Sequence, residues 1–286
     1  MSSPQTEAPP HAAAATESQA HTSPRPMQPE DLLRFAWAAD PQISPDGARV
    51  AFTRVHVDAE ADEYRSALWV ISSDGGAARA LTFGPFDSQP RWSPDGRTLA
   101  FVRKKDAKAP PQLWVLPMEG GEARERTSLA KGAASPAWSP DGKRLAFLSA
   151  THPALDTEKK EEPKNAPARI VTRPEWRMNG EDFRDAEHLD HVWVADAADG
   201  APRQLTHGRR FSEAGPRWSR DGKWIFFTSD RRDQPWFGQE DSDLWAVSPD
   251  RETPTDAKGL ERVADLQGPI LGWVESADGA IAAVAA

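Results

Sequence analysis

Trp92-Ser93-Pro94-Asp95-Gly96 recurs unchanged as Trp138-Ser139-Pro140-Asp141-Gly142. It returns with one change each as Ile43-Ser44-Pro45-Asp46-Gly47 and Trp218-Ser219-Arg220-Asp221-Gly222, and in worn form over Trp273 to Gly279. The chemistry of the stretch is that of a tight corner between two strands. Pro presets φ near −65°, Asp caps the turn with its own side chain, and Gly takes the φ > 0 position a hairpin needs. An apolar strand follows each corner: Val50-Ala51-Phe52, Leu99-Ala100-Phe101, Leu145-Ala146-Phe147 and Ile225-Phe226-Phe227. A second follows at variable distance, as Leu68-Trp69-Val70, Leu113-Trp114-Val115, Val192-Trp193-Val194 and Leu244-Trp245-Ala246. Polar turns (Asp74-Gly75-Gly76, Glu119-Gly120-Gly121, Asp199-Gly200) then lead to a strand ending in Thr, as in Ala80-Leu81-Thr82 and Gln204-Leu205-Thr206. One unit is a four-stranded meander, and repeated meanders with an aromatic and a turn at fixed places predict an all-β chain, a β-propeller of four-stranded blades.

The corner Asp residues stand at 46, 95, 141, 221 and 278, so the steps are 49, 46, 80 and 57 residues. The long step marks an insertion at about 150–190, between Ser149 and Asp190. Its first half, Asp156 to Lys164, is a charged run expected to be solvated. In its second half Arg169 to Arg173 reads as extended and Asn179-Gly180 as a hairpin turn. Less the insertion, residues 27–286 hold between four and five units of roughly 46 residues. The last is barely begun in Ala280 to Ala286, so the chain reads as truncated. Residues 1–26 are rich in Ala, Pro and Ser, without a basic start or continuous apolar core. They read as a disordered tail and not as a secretory leader. A short helix starting at Pro29-Glu30-Asp31 is expected to use Leu32, Leu33 and Phe35 as its apolar side.

Seven of the 12 Trp residues fall in the two repeated slots, at 92, 138 and 218 and at 69, 114, 193 and 245. Residues in such slots stack neighbouring repeats, which makes them packing groups rather than a surface for bases. A net charge of −9 also argues against a nucleic-acid partner. The absence of Cys removes disulfides and thiolate metal sites and fits a cytoplasmic location. No apolar run approaches the roughly 20 residues of a membrane span. His188 and His191 are spaced three apart, which on a strand sends them to opposite faces and disfavours a shared metal. The acidic run Asp58 to Glu63 lacks the Gly and spacing of a calcium loop and reads as a solvated hairpin tip. Neither a metal nor any other cofactor is called for.

Taken together, W-S-P-D-G, L-A-F, L-W-V and R-Q-L-T resemble the propeller repeats of TolB-type proteins and of the prolyl oligopeptidase family of serine peptidases. The entry Asp31-Leu32-Leu33 with Asp40-Pro41 is similar to that of the acylaminoacyl-peptidase and dipeptidyl-peptidase branch. Val171 to Phe183 also resembles that branch's I-T-R-x-x-Y-R-x-D-G-x-G-Y segment, departing from it at Trp176, Asn179 and Asp182. The resemblance covers about Pro29 to Ala264. It implies a propeller that precedes an α/β-hydrolase domain with Ser, Asp and His, the Ser in a G-x-S-x-G elbow. The only glycines four apart here, Gly268 and Gly272, enclose no Ser, so no catalytic residue carries over and the hydrolase domain is absent from this chain.

Two functions follow. One is a gate and cap for short peptide substrates, with the hydrolase domain as partner. The other is a TolB-like interaction scaffold without catalysis. A sugar- or metal-dependent propeller enzyme ranks third, since no ligand cluster supports it. Self-association into a homo-oligomer is compatible with an open ring. Within the insertion, Arg173, Glu175, Arg177 and Glu181 carry both charge signs and are the candidates for recognising a substrate terminus. Pairing among themselves on the surface is their plainer role.

Overall fold

A computed structural model describes residues 25–156, 187–233, 235 and 240–285. Its strands form four four-stranded antiparallel sheets and one two-stranded sheet, each a meander in chain order. Blade 1 is β1 (Ala36–Ile43), β2 (Arg49–Asp58), β3 (Glu63–Ser72) and β4 (Gly75–Ala80). Blade 2 is β5 (Asp87–Trp92), β6 (Thr98–Arg103), β7 (Gln112–Pro117) and β8 (Arg124–Glu125). Blade 3 is β9 (Ala134–Trp138), β10 (Arg144–Ser149), β11 (His191–Asp196) and β12 (Arg203–Gln204). Blade 4 is β13 (Ala214–Trp218), β14 (Ile225–Ser229), β15 (Asp243–Val247) and β16 (Glu261–Ala264), followed by the hairpin β17 (Ile270–Glu275) and β18 (Ile281–Ala285). β1, β5, β9 and β13 touch in succession and form the inner wall of the fan.

Each corner turns on its Ser, whose part the sequence pattern does not reveal. Ser93 Oγ donates to Asp95 Oδ1 at 2.5 Å and accepts from the N–H of Thr98 at 2.9 Å, while Asp95 Oδ1 also accepts from the N–H of Arg97 at 3.0 Å. Gly96 closes the turn onto the Ser93 carbonyl at 2.9 Å with φ of 69°. The same bonds recur at Ser44, Ser139 and Ser219. They hold the corner carboxyls of Asp46, Asp95 and Asp141 below the usual carboxylate range, the Ser hydroxyl being the main cause. Asp221, with Lys223 supplying both its backbone N–H and its ammonium, is lowered to about 2.

The core lies in the seams between blades. Leu99, Ala100 and Phe101, like Leu145, Ala146 and Phe147, are fully buried because the second strand of a middle blade is covered on both faces. In blade 1, covered on one face, only Ala51 of the corresponding triplet is buried. Each Leu or Phe so placed contributes about 1.5–3 kcal/mol. Corner tryptophans stitch the seams. The indole N–H of Trp92 donates to Gln42 O at 3.0 Å, that of Trp138 to Arg91 O at 2.9 Å, and that of Trp218 to Ala137 O at 3.1 Å. In every case the acceptor is the residue just before the corner position of the preceding blade. Arg49 lies over the Trp92 ring and Arg144 over that of Trp218. Where Arg220 replaces Pro in the fourth corner, the N–H that Pro lacks donates to Glu275 of β17 at 2.8 Å.

The inner strands share a second device. Asp40, Gln89, Ser135 and Gly215 all precede Pro and all have positive φ, between 49° and 58°. Each sits where the pairing of its strand slips by one residue, a β-bulge. Pro fits there because it needs no ladder partner and bars its predecessor from the right-handed helical region. Side chains link successive bulges: Arg91 Nη1 meets Asp40 Oδ2 at 2.7 Å, and the Ser135 N–H donates to Gln89 Oε1 at 2.7 Å.

The short helix expected to start at Pro29 is present, but its apolar side is not buried. Pro29–Arg34 is a 3-10 helix with no buried residue, and Leu32, Leu33 and Phe35 are about half exposed. Six residues give a 3-10 helix no continuous apolar face, so these side chains lie on the surface.

Candidate functional site

In a meander of this kind the corners and the turns between third and fourth strands share one end. The loops between second and third strands and the links between blades share the other. The second end holds the chemistry. At the entry to blade 2, Asp87 is fully buried and takes two hydrogen bonds from Arg103, at 2.7 and 2.8 Å, which raises the Arg103 pKa. Gly84 passes directly over the pair, and a Cβ there would stand 2.7 Å from Asp87 Oδ1.

Between blades 3 and 4 lies a larger buried group. Glu213 Oε2 meets His191 Nδ1 at 2.7 Å and accepts from Thr206 Oγ1 at 3.0 Å, while Glu213 Oε1 accepts from Arg231. His191 Nε2 faces the Gly208 carbonyl at 3.0 Å, so both ring nitrogens meet acceptors. The side chains of His191, Glu213 and Arg231 are 5%, 1% and 6% exposed, which makes this a charged network inside the protein. Burial pushes the Arg231 guanidinium below the usual arginine value against the opposing pull of Glu213. Aromatic rings of Phe211, Phe227 and Trp245 surround it. No pattern in the sequence pairs positions 191, 213 and 231; only the fold brings them together.

His188 takes a different partner from His191, with Nε2 3.1 Å from Asp156 Oδ1. Asp156 Oδ2 also accepts from the N–H of His152 at 2.7 Å. The Asp156–His188 contact clasps the base of the insertion, which departs after Ser149 and returns at His191, two residues paired across β10 and β11. Arg173, Glu175, Arg177 and Glu181 lie outside the described residues, as do the extended segment and the Asn179-Gly180 turn expected beside them. Among the described residues no three His, Cys, Asp or Glu are grouped to hold a metal ion. No helix among them is long and apolar enough to cross a membrane.

An apolar strip shares this end. Met27, Leu32, Leu33, Phe35 and Trp37 are each at least 45% exposed, and Trp37 packs edge-on against the still more open Tyr64 at 5.6 Å. An Arg25–Asp31 ion pair and a Gln28–Asp31 capping interaction hold the start of the 3-10 helix in place.

Residues 35–173 match the model of the TolB beta propeller domain. The fold is a β-propeller, and over these residues, just under half of the chain, it is similar to TolB-type propellers. The chain is 32% identical over 204 residues to the Bacillus subtilis protein named "Uncharacterized peptidase YuxL", a match covering 70% of this chain and 30% of that protein. In structure it is similar to an acylaminoacyl peptidase of Pyrococcus horikoshii, with a TM-score of 0.58 and 20% identity, over 82% of this chain and 34% of that one. It is also similar to a putative TolB of Agrobacterium tumefaciens, with a TM-score of 0.51 and 20% identity, over 80% of this chain and 62% of that one. The propeller is thus related to peptidase propeller domains and to TolB. It spans less than a third of the length of the peptidase it matches in sequence.

Proposed function

We propose that this propeller gates and caps an oligopeptidase of the acylaminoacyl-peptidase kind, admitting short peptides to an α/β-hydrolase domain and excluding folded proteins. The observation that carries this reading is the extent of the match to the Bacillus peptidase: most of this chain aligns with a minor part of that protein. The 286 residues also contain no G-x-S-x-G, so acyl transfer would fall to residues outside them. The blade end with the insertion, the clasp and the apolar strip Met27 to Trp37 has the chemistry of a docking face, an exposed apolar patch beside charged loops. In this arrangement Arg173, Glu175, Arg177 and Glu181 would meet a substrate terminus, a guanidinium taking a carboxylate or a carboxylate an amine. The absence of Cys suits work in the cytoplasm.

The test begins with the pure chain, which should neither hydrolyse chromogenic acyl-amino-acid or dipeptide substrates nor react with a serine-directed phosphonate. The chain is then exchanged for the matching segment of the Bacillus peptidase. The chimera should cleave short peptides and spare folded proteins. Replacing Arg173, Glu175, Arg177 and Glu181 singly by Ala should change kcat/KM on free or blocked termini. Phosphonate-sensitive hydrolysis by the isolated chain, or a chimera that digests folded protein as fast as the bare hydrolase domain, overturns the proposal. The likeness to the Agrobacterium TolB favours a second reading, an interaction scaffold, for which the chimera would show no gating.

A further inference from the structure

Between the link 83–87 and the loop joining β6 to β7 lies a hollow of about 450 Å3. Phe83, Arg103, Lys104, Lys105 and Trp114 form its walls, with Gly84 and Pro85 at the lip, and no carboxylate lines it. That is unexpected on a chain with 44 acids against 35 Lys and Arg. The cations differ in how far they are committed. Arg103 is fixed twice over, by the buried Asp87 and by lying 4.9 Å over the Trp114 ring. Lys105 reaches Glu125 at 3.3 Å across open solvent, a weak tie. Lys104 donates only to the Ala107 carbonyl, at 2.8 Å, and has no carboxylate partner among the described residues. Beside it the Phe83 ring is 90% exposed. The lip keeps its shape, because Gly84 lies against the Asp87–Arg103 pair with no room for a Cβ.

We infer that this hollow binds a carboxylate carried next to an apolar group, as at the free C-terminus of a short peptide ending in an aromatic or branched residue. Lys104 exchanges the Ala107 carbonyl for the carboxylate, forming a charge-assisted bond, and Lys105 adds a second ammonium. Phe83 and the Trp114 ring supply the surface for the apolar part. The choice of a peptide as carrier rests on the proposed link to a peptidase; the affinity for a carboxylate beside an apolar group does not. A terminal carboxylate and a Glu side chain offer the same chemistry, and the probes below separate them.

The experiment titrates the whole chain with acetyl-Ala-Ala-Phe, its C-terminal amide, and acetyl-Ala-Glu-Phe-amide, by calorimetry and by the indole N–H signal of Trp114, assigned with Trp114→Phe. The free acid should bind roughly tenfold or more tightly than the amide, the worth of one bond to a charged group. Binding should weaken with salt. If the Glu peptide binds like the free acid, a side-chain carboxylate serves as well; if it binds like the amide, the terminus is read. Lys104→Ala with Lys105→Ala should remove the preference for acid over amide, and Phe83→Ala should weaken the acid by several-fold. These side chains are held by little else, so the fold should survive. Equal affinity for acid and amide, no binding up to about 10 mM, or an unchanged preference in the lysine variant each overturns the inference. Acid-selective binding by a chain whose chimera fails to gate would leave this site standing and remove the peptidase reading alone.

Discussion

Glu213→Gln keeps the shape of the side chain at the centre of the buried network and removes its charge. The wild-type carboxylate accepts from Arg231 on one oxygen and from His191 and Thr206 on the other. Turned one way, the NH2 group of the amide faces the Arg231 donor; turned the other, it faces Thr206 and His191, where only an unprotonated Nδ1 can accept it. Arg231, with its side chain 6% exposed, is left as a buried cation without its contacting carboxylate, the charge of Asp256 acting only from farther away. Breaking a buried pair in this way costs about 3–5 kcal/mol, against about 1 kcal/mol for an ordinary surface change. For a chain of this size each kcal/mol moves Tm by about 2–4 °C, so the loss should be about 6–20 °C. Urea unfolding followed by Trp fluorescence and by circular dichroism gives the free energy, provided the two probes coincide. The double variant Glu213→Gln with Arg231→Met removes the stranded charge among Phe211, Phe227 and Trp245 and should recover at least half of the loss. A Glu213→Gln protein within about 1 kcal/mol of wild type would show that the network is not buried as described.

Trp138→Phe, which deletes the donor to Arg91 O while keeping a ring in the seam, should cost about 1 kcal/mol in the same urea assay. A loss below the error of the measurement would mean that the seam bond contributes nothing. Gly132→Ala should cost more than Gly47→Ala, since both have positive φ but the Cβ at Gly132 would lie 2.5 Å from Pro111 O and that at Gly47 would meet nothing within 4 Å. Equal melting temperatures for the two would refute this. Acid should loosen the corners: Asp46, Asp95, Asp141, Asp221 and Asp278 are held below their ordinary value of 3.8. Groups depressed in the fold stabilise it above the unfolded pKa and lose that contribution as pH falls through the folded one. Stability should therefore decline from near pH 4 toward the Asp221 value of about 2, and a Ser93→Ala variant should decline less steeply. Val274 and Val284 on the β17–β18 hairpin are over 60% exposed, so Val274→Lys with Val284→Lys should reduce concentration-dependent association in sedimentation. Unchanged sedimentation would acquit that face.

The repeat made much of this molecule legible. A corner of Ser, Pro, Asp and Gly constrains its own backbone through neighbours within five residues, so pattern and geometry correspond one to one. Corner spacing likewise marks the long connection between β10 and β11, whose ends Ser149 and His191 face each other across the pair. Less was visible of anything that reaches across a seam. Trp92, Trp138 and Trp218 could be assigned to packing, but the backward donation of each indole to the previous blade depends on the stagger of two sheets. The Pro at 41, 90, 136 and 216 was a repeated signal for the bulges, yet its meaning depends on a partner strand that slips there. Glu213 sits in a polar link, where a carboxylate is unremarkable until Arg231 and His191 close around it. Leu32, Leu33 and Phe35 misled for the opposite reason, since apolar side chains in a short segment do not say which surface covers them.

The indole bonds also set a direction. At each of the first three seams the donor belongs to the later blade and the acceptor is main chain of the earlier one. Every blade from the second to the fourth thus carries its own hook and offers, in its backbone, an eye that any sequence supplies; the first, with Ile43 at the corner, has the eye alone. A duplicated blade arrives with this fastening already built in, since the bond asks nothing of the side chains in the blade it follows. For this bond, growth by tandem duplication requires no co-evolution across the new seam; only the side-chain pairs there, such as Arg91 with Asp40, would need a matching partner.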